Sequence, residues 1–446
     1  MKNQKLQDNV FYRDRKKEYP VIERGEGLYL YSKEGKRYID ATGGPMVVCL
    51  GHGIPEITEA MIEQAKKVCF AYTGTFSTEA QINLAKKVME FTPRGMSHVY
   101  FVSGGSEAIE YSMQLARQYF LEKGEPSRTK IIGRWQSYHG ATFGTLSAGG
   151  HTIFRTDYDP YLLKYPHIPP PYCYRCHFDK TYPACGVFCA QYLERVIQYE
   201  GKGTIAAFIS EPVSGSSLGG VTPQPEYYPI IRDICSKYGI LMIVDEVITG
   251  FGRTGKNFGV DHWNVVPDII ITAKGMTSGY TPLGAIIMHE NVFEIFTDAR
   301  RSSFFSGYTY AGNALSCAVG LAVLNYIQKN SLVKRCKEMS AYQFNQFERL
   351  KQIPSVGDIR GLGLLLGIEF VKDKNERTPF ESTRKISDAV VEKSFQQGLI
   401  VRGGHGFING IEGDLVIIAP PFTVKKDEIS EILNILESVI LDVCES

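Results

Sequence analysis

A lysine stands at the end of one of the most apolar stretches of the chain. The stretch DIIITA is followed directly by Lys274 and then by the segment GMTSG. An apolar surrounding disfavours the charged form of an amine, so we expect the pKa of Lys274 to fall. A neutral lysine is a nucleophile that forms a Schiff base with an aldehyde. The alternative is a structural lysine whose stem is buried and whose ammonium group reaches solvent.

Two acidic residues, Asp245 and Glu246, follow the apolar run ILMIV in a similar way. A carboxylate buried at the end of such a run is costly without a cationic partner. We interpret Asp245 as the group that keeps the nitrogen of a heteroaromatic ring protonated. A helix N-cap or a salt bridge is the alternative role.

Two other runs end in groups that suit a phosphorylated ring. After HVYFV, the segment SGGS (103–106) opens a helix, and its free N–H groups make an anion site or a simple helix cap. After KIIG come Tyr138 and His139, where an aromatic side chain lies flat on a ring or is an ordinary core tyrosine. Anion site, stacking aromatic, buried acid and apolar lysine are together the parts that pyridoxal phosphate requires.

Short apolar runs alternate with helical stretches through the middle of the chain. The runs are HVYFV (98–102), KIIG (130–133), IAAFI (205–209), ILMIV (240–244), DIII (268–271) and AIIMH (285–289). Helices are predicted between several of them, for example at 106–123 and 225–238. This alternation predicts an α/β fold with a mostly parallel sheet covered by helices on both sides. Ligands gather at the carboxyl ends of such strands, so the groups above are expected at one edge.

The regions that flank this α/β part have a different pattern. Residues 24–44 predict two short strands joined by a Lys-Glu-Gly turn. Beyond residue 329, a smaller α+β domain is predicted from two helices (332–353 and 383–397), the strand LGLLLGIEF (362–370) and the runs LIVRGG and LVIIAPP. We therefore predict an N-terminal segment of the small domain (1–53), a large cofactor-binding domain (54–329) and a C-terminal small α+β domain (330–446).

The composition argues against several classes of protein. The 446-residue chain is 22% charged and 43% apolar, with a net charge of +1. Neither nucleic acid nor an acidic membrane is an expected partner of such a chain. The polar N-terminus lacks the apolar centre of a signal peptide, and no apolar run reaches the length of a membrane span. We expect a cytoplasmic protein.

Four cysteines form a cluster within an apparent insertion at about 168–190. Cys173, Cys176, Cys185 and Cys189 have the spacing C-x2-C-x8-C-x3-C, and His177 lies among them. This spacing falls within the range of structural zinc or iron–sulfur sites. Reduced thiols in a proline-rich surface loop are the alternative, and we assign no metal site.

The chain resembles the class III aminotransferases of fold type I, the ω-aminotransferase group. The motifs that carry the resemblance are FVSGGSEAIE, SYHGATFG, EPVSG, VDEVITGFGRTG, TAKGMTSGYTPLGA and GYTYAGN. The resemblance covers nearly the whole chain. Within the family, the chain is similar in particular to the taurine, β-alanine:pyruvate and 3-aminobutyryl-CoA aminotransferases. The resemblance implies pyridoxal 5′-phosphate as the cofactor and a large, mostly parallel mixed sheet beside a smaller α+β domain.

The resemblance also implies a role for individual residues. Lys274 matches the Schiff-base lysine and Asp245 the acid at the pyridine nitrogen, and these two are the candidate catalytic residues. Val247 and Tyr138 match the residues on the two faces of the ring, and Thr309 matches a threonine that reaches the phosphate of a neighbouring subunit. The candidate cofactor-binding residues are Gly105, Ser106, Tyr138, His139, Glu211, Asp245, Val247, Lys274 and Thr309.

Substrate recognition is expected around Arg402. In relatives, a glutamate that matches Glu211 pairs with an arginine of the C-terminal domain, which binds a substrate carboxylate or moves aside. Arg402 lies at the matching place, although the segment GGHGFINGIEG is longer and more glycine-rich than in many relatives. A surface arginine on a loop is the alternative. The candidate substrate-binding residues are Arg402, Val47 and Tyr138, in a pocket completed by residues 45–47, Phe76 and residues 304–310 of a neighbouring subunit.

The expected reaction is a ping-pong transfer of an amino group to a keto acid such as pyruvate or 2-oxoglutarate. The donor is a β- or ω-amino compound: a β-amino acid, a taurine-like amine or a CoA thioester such as 3-aminobutyryl-CoA. A homodimer is expected, with a tetramer as the alternative. An epimerase, aminomutase or decarboxylase would use the same Lys274 and Asp245 without productive release of a keto product, and a non-catalytic relative would keep only the fold.

Overall fold

The apolar runs form the central sheet of the molecule. The computed structural model describes residues 9–297, 304 and 307–445. The strands in these residues are β1 (Ile22–Glu26), β2 (Tyr29–Ser32), β3 (Arg37–Asp40), β4 (Met96–Val102), β5 (Lys130–Arg134), β6 (His167–Ile168), β7 (Ile205–Ser210), β8 (Leu241–Asp245), β9 (Ile269–Thr272), β10 (Gly284–His289), β11 (Val356–Gly361), β12 (Leu366–Phe370), β13 (Leu399–Ile400), β14 (Arg402–His405) and β15 (Asp414–Ile418).

Helices connect and cover these strands. The α-helices in the same residues are α1 (Gly43–Met46), α2 (Pro55–Lys67), α3 (Glu79–Phe91), α4 (Gly105–Glu122), α5 (Phe143–Ala148), α6 (Thr152–Arg155), α7 (Phe188–Glu200), α8 (Tyr227–Tyr238), α9 (Glu290–Glu294), α10 (Ala314–Lys329), α11 (Leu332–Phe347), α12 (Ile386–Gln396) and α13 (Lys426–Cys444). In this part of the chain, no helix combines the length and the apolar character needed to cross a bilayer.

The central sheet has the order β4-β10-β9-β8-β7-β5-β6 within the described residues. Neighbouring strands from β9 to β6 run parallel, whereas β10 is antiparallel to both β9 and β4. Alternate side chains of β8 enter two separate cores: Met242 and Val244 face one, and Leu241 and Ile243 face the other. Burial on both faces explains the continuous apolar runs. The prediction of a mostly parallel α/β sheet is confirmed.

Two four-stranded sheets flank the central one, with the orders β1-β2-β3-β13 and β11-β12-β15-β14. The first joins the two ends of the chain, because β3 pairs in parallel with β13. The two strands predicted in residues 24–44 are β2 and β3, which the Lys-Glu-Gly turn connects, and the prediction missed a third strand, β1, that pairs with β2. Most side chains of β1 are exposed, so the sequence of β1 lacks the alternation of apolar and polar residues that predicts a strand.

Two predicted elements are shorter in the structure than expected. The helix predicted at 332–353 is α11 followed by a 3₁₀ turn at Glu348–Gln352. The strand predicted at 362–370 begins only at Leu366, because Leu362 N–H turns back to the carbonyl oxygen of Leu365. The proposed domain boundaries at residues 53 and 329 stay a prediction.

A buried glutamate connects the cysteine-rich segment to β12. Glu369 on β12 accepts hydrogen bonds from Arg175 Nε at 2.6 Å and from Arg360 Nη1 at 2.7 Å. The hydroxyl of Tyr172 also donates to Glu369, whose side chain is fully buried. One carboxylate therefore pairs with two guanidinium groups from different parts of the chain, of which Arg360 also pairs with Asp358 at 3.0 Å.

Replacing this carboxylate is expected to destabilise the fold. Glu369→Gln leaves the largely buried Arg175 without its counter-charge and Arg360 with Asp358 alone, which costs about 3–5 kcal/mol. The matched control is Glu381→Gln, which breaks the exposed pair with Lys372 and costs at most about 1 kcal/mol. Urea denaturation followed by circular dichroism measures both, and equal losses for the two variants would contradict the prediction.

Candidate active site

A cavity of about 160 Å³ lies at the carboxyl ends of the central strands. The segments that follow β4, β5, β7, β8 and β9 all contribute to it, as expected for an α/β sheet. The residues that line it are Gly105, Ser106, Tyr138, His139, Gly140, Glu211, Val213, Asp245, Val247, Ile248, Thr249, Ala273 and Lys274. The structure therefore brings together all the predicted cofactor-binding residues except Thr309.

Lys274 follows β9 at the point where the backbone leaves the sheet. Its φ angle is +32°, in the left-handed region that a residue with a side chain rarely adopts. Burial lowers the pKa of Lys274 to about 8; the Asp245 carboxylate opposes this shift and the Arg402 guanidinium adds to it. The amine is therefore partly neutral near physiological pH and lies in the cavity, not in bulk solvent.

The turn after Lys274 is held by the N-terminal part of the chain. Ser278 Oγ accepts hydrogen bonds from Cys49 N–H at 3.1 Å and from Leu50 N–H at 2.9 Å. The thiol of Cys49 lies 3.4 Å from the carbonyl oxygen of Gly275. The Thr-Ser-Gly segment is thus an ordered connection that fixes the backbone on the far side of Lys274.

Asp245 is oriented by two hydrogen-bond partners. Its Oδ2 atom lies 2.7 Å from Nδ1 of His139, and its Oδ1 accepts from Val247 N–H at 3.0 Å. Both side chains are buried. His139 therefore holds the carboxylate in one orientation at the edge of the cavity.

Glu246 has a different, structural environment. It accepts hydrogen bonds from the N–H groups of Gly259 and Val260, each at 2.8 Å, and from the hydroxyl of Thr249. Burial raises the pKa of Glu246 to about 7. This side chain stabilises the start of the 3₁₀ turn at Gly259–Trp263.

The N-terminus of α4 forms one wall of the cavity. The N-cap is Gly104, which has no side chain to accept from the first N–H groups of the helix. A Cβ atom on Gly105 would lie 3.2 Å from both Cγ atoms of Val247, so glycine lets the helix end approach the cavity closely. Exposed N–H groups and the helix dipole together favour an anion at this position.

Glu211 and Arg402 form no ion pair with each other in this structure, although the matching residues of relatives can pair. Within the described residues, Glu211 Oε2 and Arg402 Nε are both buried without a hydrogen-bond partner. The other carboxylate oxygen of Glu211 accepts from Gly215 N–H at 3.1 Å. Arg402 is half-buried at the start of β14, on a strand and not on a surface loop.

Sequence reasoning missed two residues behind Glu211. Arg134 Nη2 and the hydroxyl of Tyr228 each donate to the carbonyl oxygen of Glu211 at 2.7 Å. Arg134 is fully buried at the end of β5, so a charged residue directly after the run KIIG is a signal of the same kind as Asp245. These two residues fix the backbone from which the Glu211 carboxylate extends.

The remaining predicted residues lie outside this cavity. Val47 is half-buried beside Gly279, whereas Thr309 and Phe76 are exposed on this chain. Of the expected pocket residues at 304–310, residues 305 and 306 lie outside the described part of the chain. The assigned roles of Val47 and Thr309 stay predictions.

The cysteine-rich segment follows β6 and has partly exposed thiols. Cys173 is exposed, and Cys176, Cys185 and Cys189 are half-buried. Burial raises the pKa of the Cys189 thiol to about 12, and the other three thiols contribute to the shift. In the described residues, no group of three or more His, Cys, Asp or Glu side chains is arranged to hold a metal ion.

Comparison with known proteins agrees with this geometry. Residues 11–440 match the family model for class III aminotransferases. The putrescine–pyruvate aminotransferase of Pseudomonas aeruginosa is 34% identical over 93% of this chain and 89% of its own length. The diaminobutyrate–2-oxoglutarate transaminase of Halomonas elongata is 35% identical over 96% of this chain and 91% of its own length.

Solved structures show the same relationship. A thermostable (S)-enantioselective ω-transaminase from Thermomicrobium roseum superposes with a TM-score of 0.90 at 37% identity. The match covers 96% of this chain and 94% of that structure. The chain therefore belongs to the class III aminotransferases, a family of transaminases that use pyridoxal 5′-phosphate.

Proposed function

We propose that this transaminase takes the amino group from a β- or ω-amino compound and gives it to a keto acid by a ping-pong mechanism. The observation that carries the proposal is the amine of Lys274, with a pKa of about 8, in one cavity with the carboxylate of Asp245. Pyruvate and 2-oxoglutarate are the acceptors we favour, because two relatives are named for them.

The residues around the cavity suit pyridoxal phosphate. The N-terminus of α4 at Gly105 and Ser106 would hold the phosphate, and Asp245 would hold the ring nitrogen in its protonated form. Val247 and Tyr138 would contact the two faces of the ring. The bound cofactor supplies an electron sink for the carbon that carries the amine.

Lys274 is the residue we propose for proton transfer. Its neutral amine takes the proton from the amine-bearing carbon of the donor. In the second half of the reaction, the ammonium group of Lys274 gives a proton to the acceptor carbon that receives the amino group. A pKa near 8 suits both steps, because the amine and the ammonium form are then both populated at neutral to mildly alkaline pH. The backbone turn held by Ser278 keeps this amine at the end of β9.

Arg402 is the residue we propose for recognition of an anionic group on the substrate. It is half-buried, its Nε has no partner, and its charge lowers the pKa of Lys274. A planar guanidinium binds a carboxylate or sulfonate through two parallel hydrogen bonds. β-Amino acids, taurine-like amines and CoA thioesters such as 3-aminobutyryl-CoA are the donors we propose, each with an acidic or carbonyl group remote from the amine.

We further propose a homodimer in which Thr309 reaches the phosphate site of the neighbouring subunit. Thr309 is exposed on this chain, next to Tyr310, whose side chain is 61% exposed. Phe76 is 64% exposed beside a groove between α2, α3 and α10. Tyr310 packs edge-on against Phe70, which is 40% exposed, and exposed aromatic side chains in contact are typical of a surface that a partner covers.

The first test is covalent capture of the cofactor. After incubation with pyridoxal phosphate and reduction with borohydride, peptide mass spectrometry is expected to find the adduct at Lys274. Its rate of formation rises with pH through about 8 and then levels off, because only the neutral amine reacts. A solvent-exposed lysine in general reacts in this way only at a pH of about 10 or above, where its amine is neutral. A Lys274 adduct that also requires such a pH would contradict the assignment.

The second test is a panel of amine donors with pyruvate and 2-oxoglutarate as acceptors. Arg402→Met is expected to raise the KM for β-alanine by about 10- to 100-fold, because a charge-assisted hydrogen bond is lost. The KM for putrescine, which has no acidic group, stays within about twofold as the internal control. Equal changes in KM for β-alanine and putrescine would contradict the role of Arg402. If no β- or ω-amino compound of the panel donates its amino group, the proposed donor class is wrong.

The third test is the mass of the protein in solution. Light scattering is expected to give twice the 49.9 kDa of one chain. Phe76→Glu places a charge in the proposed interface and shifts the mass toward the monomer at low concentration. Tyr199→Glu, at an 88% exposed aromatic on α7, is the matched control and leaves the mass unchanged. A wild-type mass equal to that of one chain would contradict the proposed homodimer.

A further inference from the structure

A glycine-rich loop joins the strand of Arg402 to β15 and has no role in the function proposed above. The loop covers residues 406–413 between β14 and β15. It folds back on itself, with hydrogen bonds at 3.0 Å from Gly406 N–H to the Gly413 carbonyl and from Gly410 N–H to the Gly406 carbonyl. The loop is therefore a compact, ordered hairpin connection.

Two glycines of the loop lie directly against α6. A Cβ atom on Gly410 would lie 2.8 Å from Cγ2 of Thr152, and one on Gly406 would lie 2.5 Å from Cδ1 of Ile153. A real Cβ atom essentially never shows distances this short, so a side chain at Gly410 would displace Thr152, and one at Gly406 would force the tip of the Ile153 side chain to move. The contact joins the C-terminal hairpin to a helix from the middle of the chain.

The helix α6 in turn supports an aromatic wall of the cavity. Phe154 of α6 packs edge-to-face on Tyr138, with ring centroids 5.3 Å apart. The ring of His151, the buried N-cap residue of α6, lies 4.9 Å from the ring of Phe154. Tyr138 itself lines the cavity that contains Lys274. A continuous series of contacts thus runs from the loop through α6 to Tyr138.

We propose that Gly406 and Gly410 are positioning residues, which hold α6 so that Phe154 fixes the orientation of the Tyr138 ring in the cavity. The same hairpin begins with Arg402, so one element positions both the aromatic wall and the cation. This inference rests on the proposed function, because it assigns to Tyr138 the contact with the cofactor ring. The length and glycine content of the loop then have a physical reason.

The test uses Gly410→Ala with a control of matched backbone geometry. Gly410 has a φ angle of +88° and Gly35 has +81°, but a Cβ atom on Gly35 would meet nothing within 4 Å. Both alanines place a side chain at a similar positive φ angle, and only Gly410→Ala collides with α6. The apoenzyme of each variant is titrated with pyridoxal phosphate, and the visible circular dichroism of the bound cofactor is recorded.

We expect Gly410→Ala to weaken cofactor binding by about tenfold and to change the visible circular dichroism, while Gly35→Ala behaves as wild type. Adding Thr152→Ser removes the Cγ2 atom in the collision and restores both signals. The pair Gly406→Ala and Ile153→Val, which removes Cδ1, is expected to follow the same pattern. Phe154→Leu, on a partly exposed side chain, should change the circular dichroism without altering the loop.

The outcomes separate this inference from the proposed function. A wild-type protein that takes up no pyridoxal phosphate would overturn the proposed function. Uptake by wild type with no difference between Gly410→Ala and Gly35→Ala would overturn the inference alone. Failure of Thr152→Ser to restore the signals would also overturn it, because the defect would then come from backbone strain. If Gly410→Ala does not fold, an unchanged spectrum in Phe154→Leu would still decide against the inference.

Discussion

The burial of an amine at the end of an apolar strand is the constraint on which the active site depends. A protonated lysine in such a place is costly, and the site reduces this cost by lowering the pKa of Lys274 and by placing Asp245 nearby. Asp245 is in turn held by His139 and by a backbone N–H group. The charge of Lys274, the carboxylate of Asp245 and the partners of Asp245 therefore depend on one another. A substitution at one of them is expected to change the electrostatics of the others.

Two adjacent acids at the end of β8 have different surroundings, which separate the proposed catalytic role of Asp245 from the structural role of Glu246. Asp245 and Glu246 differ by one position, yet only Asp245 lines the cavity. The carboxylate of Glu246 accepts hydrogen bonds from backbone N–H groups of the 3₁₀ turn at Gly259–Trp263. Glu211 and Arg402 are a different case, since each keeps one buried atom without a partner. Such unpaired groups beside a cavity are available to a ligand, which explains why substrate recognition is better sought there than at the satisfied Glu246.

Much of the fold was predictable because burial on both faces leaves continuous apolar runs in the sequence. The same reasoning located Lys274 and Asp245, because a charge directly after such a run is unusual. It failed for β1, whose exposed side chains carry no pattern, and its pairing with β2 depends on backbone hydrogen bonds. The lack of an ion pair between Glu211 and Arg402 was also out of reach, since it depends on where the fold places two side chains that are far apart in the sequence.

The parallel pairing of β3 with β13 has a consequence for the synthesis of the chain. Ile39 is made early, but its partner Leu399 emerges only when the chain is nearly complete. Translation adds roughly 5–20 residues per second, so β3 lacks its partner strand β13 for tens of seconds during synthesis. An unpaired edge is a template for pairing with another chain, so chaperone binding to nascent N-terminal strands would protect this protein from aggregation during translation.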